Sequence, residues 1–540
     1  YYSNYTEPAL LIRIIDILLP HYEDRSDTES LLFLYICAGF SYMELSRTGE
    51  PTSRDKTIYF YTKVLSYRDQ IEFFESAASR DYIFIAYYNL IRVAPGLGIL
   101  DIETAYRLWE ELCQIRTMPK FCQYDTTNPR IPQLCDRAIN DFRAYGAVLN
   151  VERVIAPSAI LSSLENMTQI YYSEILHERG SIYECPVFTV FNYHYVQARN
   201  GTITWEAAWQ ILDDYYVHKM QTIGQVSSPD LLAFYTNLPL NLIDVLGHTH
   251  FKEEFKQATY RRYRNLITSY LMNQPASLNS YTLNNGVQLV AFHPLILGTF
   301  QNRMEKMNFI VDLVVTRHLT TFTHSVMVSY LAEAIGKHIL AARPELLRIP
   351  SSYLTGNIYA SPAEVLDYIV PAALFHDIGK NGMIPIINTQ HRKLNDYEFN
   401  IIQTHPQKGS DYLSSDPDFL IYQPVALGHH RSYDGTRGYP LSFDNTASPY
   451  RDAIDLIHIC DCLDAATDYL SRNYHRAKPF DVVLNELKAG RGTEYNPDMV
   501  DVILSDRELY NDLKMLTEQN RENIYYDIYL TFVNLRKKRQ

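Results

Sequence analysis

The stretch GHHRSYDGTRGYP, residues 428–440, follows a mostly apolar segment and begins with two adjacent histidines. One histidine near a helix end is commonly a cap or a satisfied core residue, whereas two in succession leave an imidazole that needs a partner elsewhere in the chain. An Asp-Gly turn and the tripeptide Gly438-Tyr439-Pro440 follow. Glycine permits a positive φ and proline fixes the next backbone dihedral. Tyr439 then either stacks on a base, docks a partner or packs within a rigid turn.

Four further segments offer partners for these histidines. They read TFTHSVMVSYLAEAIG, AALFHDIGK, IIQTHPQKGSDYL and LIHICDCLDAATD. Their candidate residues are His324, His376, Asp377, Lys380, His405, Asp461 and Asp464. Each alone is more often a structural residue than a ligand. Together, imidazole and carboxylate groups without a thiolate suit iron or manganese, with zinc left open.

The number of candidate ligands favours two metal ions over one. A closed zinc site needs four ligands. Five histidines and at least two aspartates exceed that number and suit two ions that share a carboxylate. Because two neighbouring ions can activate water and clamp a phosphoryl oxygen, this set of residues predicts phosphoester hydrolysis.

The order His…HD…H…HH…D resembles the HD superfamily of metal-dependent phosphohydrolases, and Gly-Tyr-Pro narrows the resemblance to its HD-GYP branch. The resemblance covers about residues 300–505, including HDIGK, His405-Pro406 followed by Gly409, and GRGTEYNPDMV. It implies an all-α domain with a bi- or trinuclear metal site. It also implies hydrolysis of cyclic di-GMP to linear pGpG, GMP or both, in bacterial second-messenger signalling. Some members accept other cyclic dinucleotides.

Carried over residue by residue, the resemblance implies seven metal ligands. These are His324, His376, Asp377, His405, His429, His430 and Asp461. Asp377 is the expected bridge between two divalent transition-metal ions, and Lys380 is expected to contact phosphate, so both are assigned to catalysis. Lys380, Arg472, Arg476 and Tyr439 are the expected substrate contacts. For the two arginines, the alternative is a solvated helix end.

Four positions depart from the pattern of the branch. Arg431 stands where the branch has glutamate, and both Thr436 and Arg437 precede Gly438 where the branch has one residue. Arg431 either aids an anionic substrate or points into solvent. Thr320 stands where trinuclear members have glutamate, and a hydroxyl is a poor replacement for a bridging carboxylate, so we expect two ions. Two alternatives stay open: a non-catalytic cyclic-dinucleotide receptor or scaffold, and a phosphodiesterase for another cyclic dinucleotide.

Upstream of this region the sequence predicts one helix after another. In DIETAYRLWEELCQI, for example, Asp101 is the expected N-cap. Small residues around Ala38 and Gly39 suit tetratricopeptide-like hairpins, with an irregular all-α domain as the alternative. The stretch NQPASLNSYTLNNG, residues 273–286, predicts a linker or long loop. We therefore expect a helical regulatory or partner-binding domain at 1–290 and an HD-GYP-like phosphodiesterase domain at 291–540.

Composition limits the partners and the compartment. The chain has 540 residues and a formal net charge of −13, which disfavours nucleic-acid polymers and anionic membranes as partners. Seven cysteines without a CxxC pair argue against a disulfide scaffold, and no apolar run reaches the length of a membrane span. We expect a cytoplasmic protein whose N-terminal domain has a protein or small-molecule partner, with homodimerisation left open.

Overall fold

Helices dominate the chain, so the all-α prediction is confirmed. The computed structural model describes residues 8–47, 52–73, 76–119, 130–149, 158–222, 234–274, 281–315, 317, 319–351, 359–383, 393–471 and 477–537. Within these ranges, β-structure is limited to isolated bridges such as that between Arg431 and Gly438. No helix in the same ranges combines the length and apolarity that crossing a membrane requires.

The chain forms two compact units, Tyr1–Thr259 and Tyr260–Gln540. The division falls within a helix, earlier than the boundary expected between residues 290 and 291. Of the expected linker, residues 275–280 lie outside the described part, whereas its last six positions belong to the helix Tyr281–Ala291.

The first unit is built of helices. They are α1 (Pro8–Arg25), α2 (Thr28–Ser46), α3 (Ser53–Leu65), α4 (Ala77–Tyr88), α5 (Ala94–Gly96), α6 (Ile102–Thr117), α7 (Arg130–Leu149), α8 (Ser158–Arg179), α9 (Val187–Arg199), α10 (Trp205–Thr222), α11 (Asn237–Gly247) and the start of α12 (Glu253–Asn273). As predicted, the Asp101 side chain caps α6 by accepting a hydrogen bond from the Thr104 amide at 2.8 Å.

Close packing between neighbouring helices of this unit depends on small residues. Helix α1 packs on α2, and α2 packs on α3. A side chain at Gly39 of α2 would come within 2.7 Å of the Tyr61 ring of α3, so glycine is what allows these helices to approach. Helix α4 also packs on α7, which is distant in sequence. A tetratricopeptide-like arrangement remains a prediction.

The second unit contains the remaining helices. They are α13 (Tyr281–Ala291), α14 (Pro294–Leu297), α15 (Arg303–Val315), α16 (Leu319–Ala342), α17 (Pro362–Phe375), α18 (Asp396–Ile402), α19 (His405–Leu413), α20 (Gln423–Gly428), α21 (Arg451–Thr467), α22 (Phe480–Ala489), α23 (Pro497–Ser505), α24 (Arg507–Lys514) and α25 (Arg521–Lys537). Helix α16 packs on α17 and α21. These three largely apolar helices bury Ile335, Ile369 and Ile457 and form the core around which the histidines and aspartates gather.

Candidate metal centre

Five elements of the second unit bring the predicted ligands together. Helix α16 carries His324, and α17 runs directly into His376 and Asp377. Three further elements supply the rest: His405 at the start of α19, His429 and His430 after α20, and Asp461 in α21. All of these residues are buried except His430, whose side chain is 20% exposed. The seven predicted ligands therefore converge on one place.

Asp377 lies at the centre of this arrangement and belongs to two groups of potential metal ligands. One group combines it with His405, His429 and His430, and the other with His324 and His376. Its Oδ1 lies 3.1 Å from Nε2 of His405 and 3.6 Å from Nε2 of His429. Its Oδ2 lies 3.5 Å from Nε2 of both His324 and His376. Each carboxylate oxygen thus faces its own pair of imidazoles.

Asp461 also lies between the two groups. Its Oδ1 is 3.0 Å from Nε2 of His324, and its Oδ2 is 3.7 Å from Nδ1 of His430. The centre therefore has two carboxylates enclosed by five imidazoles, a ligand set that suits divalent transition-metal ions.

The hydrogen bonds of the imidazoles leave their Nε2 atoms for a metal. The Nδ1 of His376 donates to the carbonyl of Ala373 at 2.6 Å, and that of His405 donates to Ile402 at 2.7 Å. The Nδ1 of His429 donates to the carbonyl of Ala426 at 2.9 Å. Such bonds fix the tautomer and ring orientation of a metal-binding histidine.

Several buried atoms at the centre lack a hydrogen-bond partner, which is the pattern that an ion would complete. They are Nε2 of His324, Nε2 of His376, Oδ1 of Asp377 and Nε2 of His430. In addition, the Nε2 atoms of His405 and His429 face each other at 3.0 Å, so both lone pairs point into the same small space. Buried polar groups without a partner are costly, and a bound cation would satisfy them. The residues present fit a metal centre.

Electrostatics prepare most of the centre for cations. His324 differs, because hydrogen bonds to Asp461 and Asp464 outweigh burial and raise its pKa to about 9. Burial lowers the pKa of His376 to about 3 and that of His405 to about 4, so both imidazoles are neutral at physiological pH. Burial opposes ionisation of Asp377, but the positive charge of Lys380 outweighs it and holds the pKa of this carboxyl well below its usual range. Neutral imidazole and ionised carboxylate are the forms that bind metal.

A close backbone contact fixes the distance between the HD pair and His405. A Cβ atom on Gly379 would lie 1.9 Å from the carbonyl oxygen of His405 and 2.6 Å from the amide nitrogen of Gly409. Only glycine fits at position 379. The HDIGK and HPQKG segments are thereby held backbone to backbone.

The remaining predicted residues have distinct surroundings. Lys380 lies beside Asp377, with its ammonium group 2.5 Å from Oδ2. The Tyr439 ring lies 4.5 Å from that of His430, so it forms part of the wall next to the ligands. Thr320 is exposed in the first turn of α16. Arg472 and Arg476 lie outside the described residues.

Arg431 does not point into solvent, because it is buried and turned toward its own loop. Its guanidinium donates to the carbonyl oxygens of Gly435, Arg437 at 2.9 Å and Gly438 at 3.3 Å. A glutamate could not make these bonds, because a carboxylate only accepts. Arginine at this position therefore holds together the longer Asp-Gly to Gly-Tyr-Pro loop.

Sequence reasoning missed residues that support the ligands from outside. The Nδ1 of His324 hydrogen-bonds Oδ2 of Asp464 at 2.6 Å, and Oδ1 of Asp464 accepts from Arg521 at 2.8 Å. His458 Nδ1 donates to the backbone carbonyl of His429 at 2.6 Å. The sequence had indicated Asp464 as a candidate ligand, one helical turn after Asp461, but not as the partner of His324. Arg521 carries no motif and could be found only from the fold.

Comparison with known proteins agrees with this geometry. Residues 321–473, which contain every predicted ligand, match the HD domain family. The second unit contains an HD domain of the HD-GYP type. The resemblance inferred from the sequence motifs is thereby confirmed.

Curated relatives of the chain include three bacterial phosphodiesterases. A cyclic di-GMP phosphodiesterase of Vibrio cholerae is 26% identical over 51% of this chain and 60% of its own length. A cyclic di-GMP phosphodiesterase response regulator of Xanthomonas campestris is 33% identical over 27% of this chain and 37% of its own length. A 3′3′-cGAMP-specific phosphodiesterase of Vibrio cholerae is 25% identical over 37% of each chain. The chain thus spans less than two-thirds of the length of each of these relatives.

Proposed function

We propose that the chain is a metal-dependent phosphodiesterase that hydrolyses cyclic di-GMP to linear pGpG, GMP or both. The observation that carries the proposal is the position of Asp377, whose two carboxylate oxygens face separate groups of imidazoles. Relatives named as cyclic di-GMP phosphodiesterases support the choice of substrate.

The proposed cofactors are two divalent ions, with iron or manganese favoured and zinc retained as a third choice. His324, His376 and Asp377 would hold one ion, and His405, His429, His430 and Asp377 the other, with Asp461 next to both groups. Two such ions supply, when bound, polarisation of a phosphoryl oxygen and activation of water. The exposed Thr320 offers no carboxylate for a third ion.

The proposed roles of the chain's own residues follow from their positions. Asp377 holds the two halves of the centre together. Lys380, beside that carboxylate, supplies a positive charge that can stabilise charge developing on a phosphoryl oxygen. Tyr439 offers a ring beside His430 on which a base can stack. Arg472 and Arg476 remain proposed substrate contacts on the basis of sequence.

For the first unit we propose a regulatory or partner-binding role in a bacterial signalling protein. Support comes from its compactness and from the absence of a comparable His/Asp group among its described residues. The proposed catalytic unit begins within α12 and includes α13, which packs on the turn Ile378–Gly382 that follows Asp377. Cytoplasmic location remains part of this proposal, with homodimerisation left open.

Incubation of the iron- or manganese-loaded protein with cyclic di-GMP tests the activity. Chromatography should show linear products, and an Asp377→Asn variant should form none. If cyclic di-GMP binds tightly but survives prolonged incubation, the chain is a receptor. If only 3′3′-cGAMP is cleaved, the reaction class survives and the substrate assignment fails.

A further inference from the structure

Arg521 is a fully buried arginine in the C-terminal helices of the HD unit. It begins α25, has 0% relative exposure and lies beyond the residues that match the HD family. Its guanidinium donates to Asp464 at 2.8 Å, to the Thr467 hydroxyl at 2.8 Å and to the Thr517 carbonyl at 2.9 Å. Burying a charge without such partners would be strongly unfavourable.

This arginine is connected to the metal centre through one carboxylate. Asp464 uses its two oxygens in different directions, with Oδ1 toward Arg521 and Oδ2 toward Nδ1 of His324 at 2.6 Å. The opposite ring nitrogen of His324 faces Asp377 and Asp461. The orientation of the His324 ring is therefore set by a carboxylate whose own position is set by Arg521.

If Arg521 had a purely structural role, Asp464 would not need to contact Arg521 with one oxygen and His324 with the other. Thr467 and Thr517 already supply Arg521 with polar contacts in the core. His376, His405 and His429 fix their Nδ1 atoms on backbone carbonyls of their own segments. Among the described histidines of the centre with an Nδ1 hydrogen bond, His324 differs because its partner is a side chain, the carboxylate of Asp464. This side chain needs a partner of its own to hold its position.

We propose that Arg521 is a positioning residue for the His324 side of the metal centre. The inference rests on the two-ion centre proposed above but not on the substrate. Partners of metal-binding histidines typically affect metal affinity by about 10–100-fold when they are removed. Because the described contacts connect Arg521 to the centre through Asp464 and His324, its loss should weaken one ion and spare the ion held by His405, His429 and His430.

The test compares Arg521→Met, Arg521→Lys and Asp464→Asn with the full-length wild-type chain, each titrated with Mn²⁺ alone. Arg521→Met should lower the affinity for one of two ions by about 10–100-fold. Electron paramagnetic resonance should then change from the spectrum of coupled ions to that of isolated Mn²⁺. Arg521→Lys, which keeps the charge, should restore part of the affinity. Asp464→Asn should show the same selective loss.

Thr467→Val is the matched control, because it removes a contact of Arg521 and leaves the Asp464 carboxylate unchanged. The Thr467 hydroxyl reaches Asp464 only at its backbone carbonyl, at 3.4 Å. This variant should lose thermal stability and keep both Mn²⁺ affinities. If Arg521→Met does not fold, Asp464→Asn and Arg521→Lys decide the question. Folded variants that bind two ions as tightly as the wild type, or that lose both ions equally, would overturn the inference. A wild-type chain that fails to bind two ions would instead overturn the proposed metal centre.

Discussion

Nε2 of His405 lies 3.1 Å from Oδ1 of Asp377, while the other oxygen of this carboxylate faces the imidazoles of His324 and His376. Asp377 is therefore common to both potential sites, whereas His376 belongs to one. Asp377→Ala should reduce bound metal from about two ions per chain toward none, and His376→Ala toward one. Elemental analysis of anaerobically purified protein measures this. His338→Ala, which removes a histidine paired with Asp506, is the control. Full occupancy in both variants would refute the ligand assignment.

Lys380 should matter for turnover more than for metal content. Its ammonium group lies against Asp377 but is not itself a metal ligand, since a protonated amine has no lone pair to donate. Lys380→Ala should slow hydrolysis of cyclic di-GMP by about 10²–10³-fold, the usual effect of removing one preorganised donor. Lys380→Arg should keep part of the rate. Unchanged turnover in the alanine variant would remove Lys380 from the catalytic group.

Restoring the glutamate of the family at position 431 should damage the protein. Arg431→Glu would place a buried carboxylate against the carbonyls of Arg437 and Gly438, and leaving buried acceptors without donors costs about 1–3 kcal/mol. We expect a lower melting temperature and weaker substrate binding, because Tyr439 lies in the same loop. Arg437→Gln, at a position whose side chain is 63% exposed, is the control and should be nearly neutral. Wild-type stability of Arg431→Glu would contradict the role assigned to Arg431.

Asp455 should make folding stability depend on pH. Burial raises the pKa of this carboxyl to about 7, so between about pH 4 and pH 7 the folded state binds more protons than the unfolded state. Stability contributed by this group is therefore present below about pH 4 and is lost as the pH rises through 7. Asp455→Asn does not titrate and should be more stable than the wild type near pH 8, by at most about 4 kcal/mol, with a smaller gain near pH 5.

Denaturant unfolding of metal-free protein at the two pH values measures the effect of Asp455→Asn. Asn496 donates to Asp455 at 3.1 Å, and this bond survives in the variant because the asparagine carbonyl can accept it. If the variant and the wild type differ in free energy of unfolding by the same amount at both pH values, Asp455 does not titrate as described.

The stability of a separately expressed catalytic unit should depend on the residue at which the fragment begins. A polypeptide of residues 253–540 retains α12 and α13, whereas one of residues 292–540 lacks both. Because α13 packs on the turn Ile378–Gly382 beside Asp377, the shorter fragment should unfold at lower temperature and bind less metal. The longer fragment should bind metal like the full chain but differ from it in turnover if the first unit is regulatory. Identical kinetics would remove the regulatory proposal.

The sequence predicted those features that depend on local chemistry. Helix periodicity indicated the all-α class, and the spacing of His376, Asp377, His405 and the paired histidines indicated one centre. The contacts of Arg431 could not be predicted because its partners are backbone carbonyls four to seven residues away, which no residue pattern reports. The domain boundary was drawn from Asn, Ser and Pro content, whereas residues 281–286 of that stretch begin α13, whose Leu283, Val287 and Val290 are buried. Arg521 lies far from the ligands in sequence and could be assigned only from tertiary contacts.

The contact at Gly379 has a consequence for how such a centre can change over generations. The two segments meet backbone to backbone, so no side chain lies between them whose size could be changed in small steps. Any residue larger than glycine at position 379 would clash with the carbonyl of His405. Mutational scanning should therefore find position 379 intolerant even of alanine. Sequence variation should then accumulate in surrounding residues that tolerate single substitutions. Examples are the loop around Tyr439 and the residues Asp464 and Arg521 that support His324.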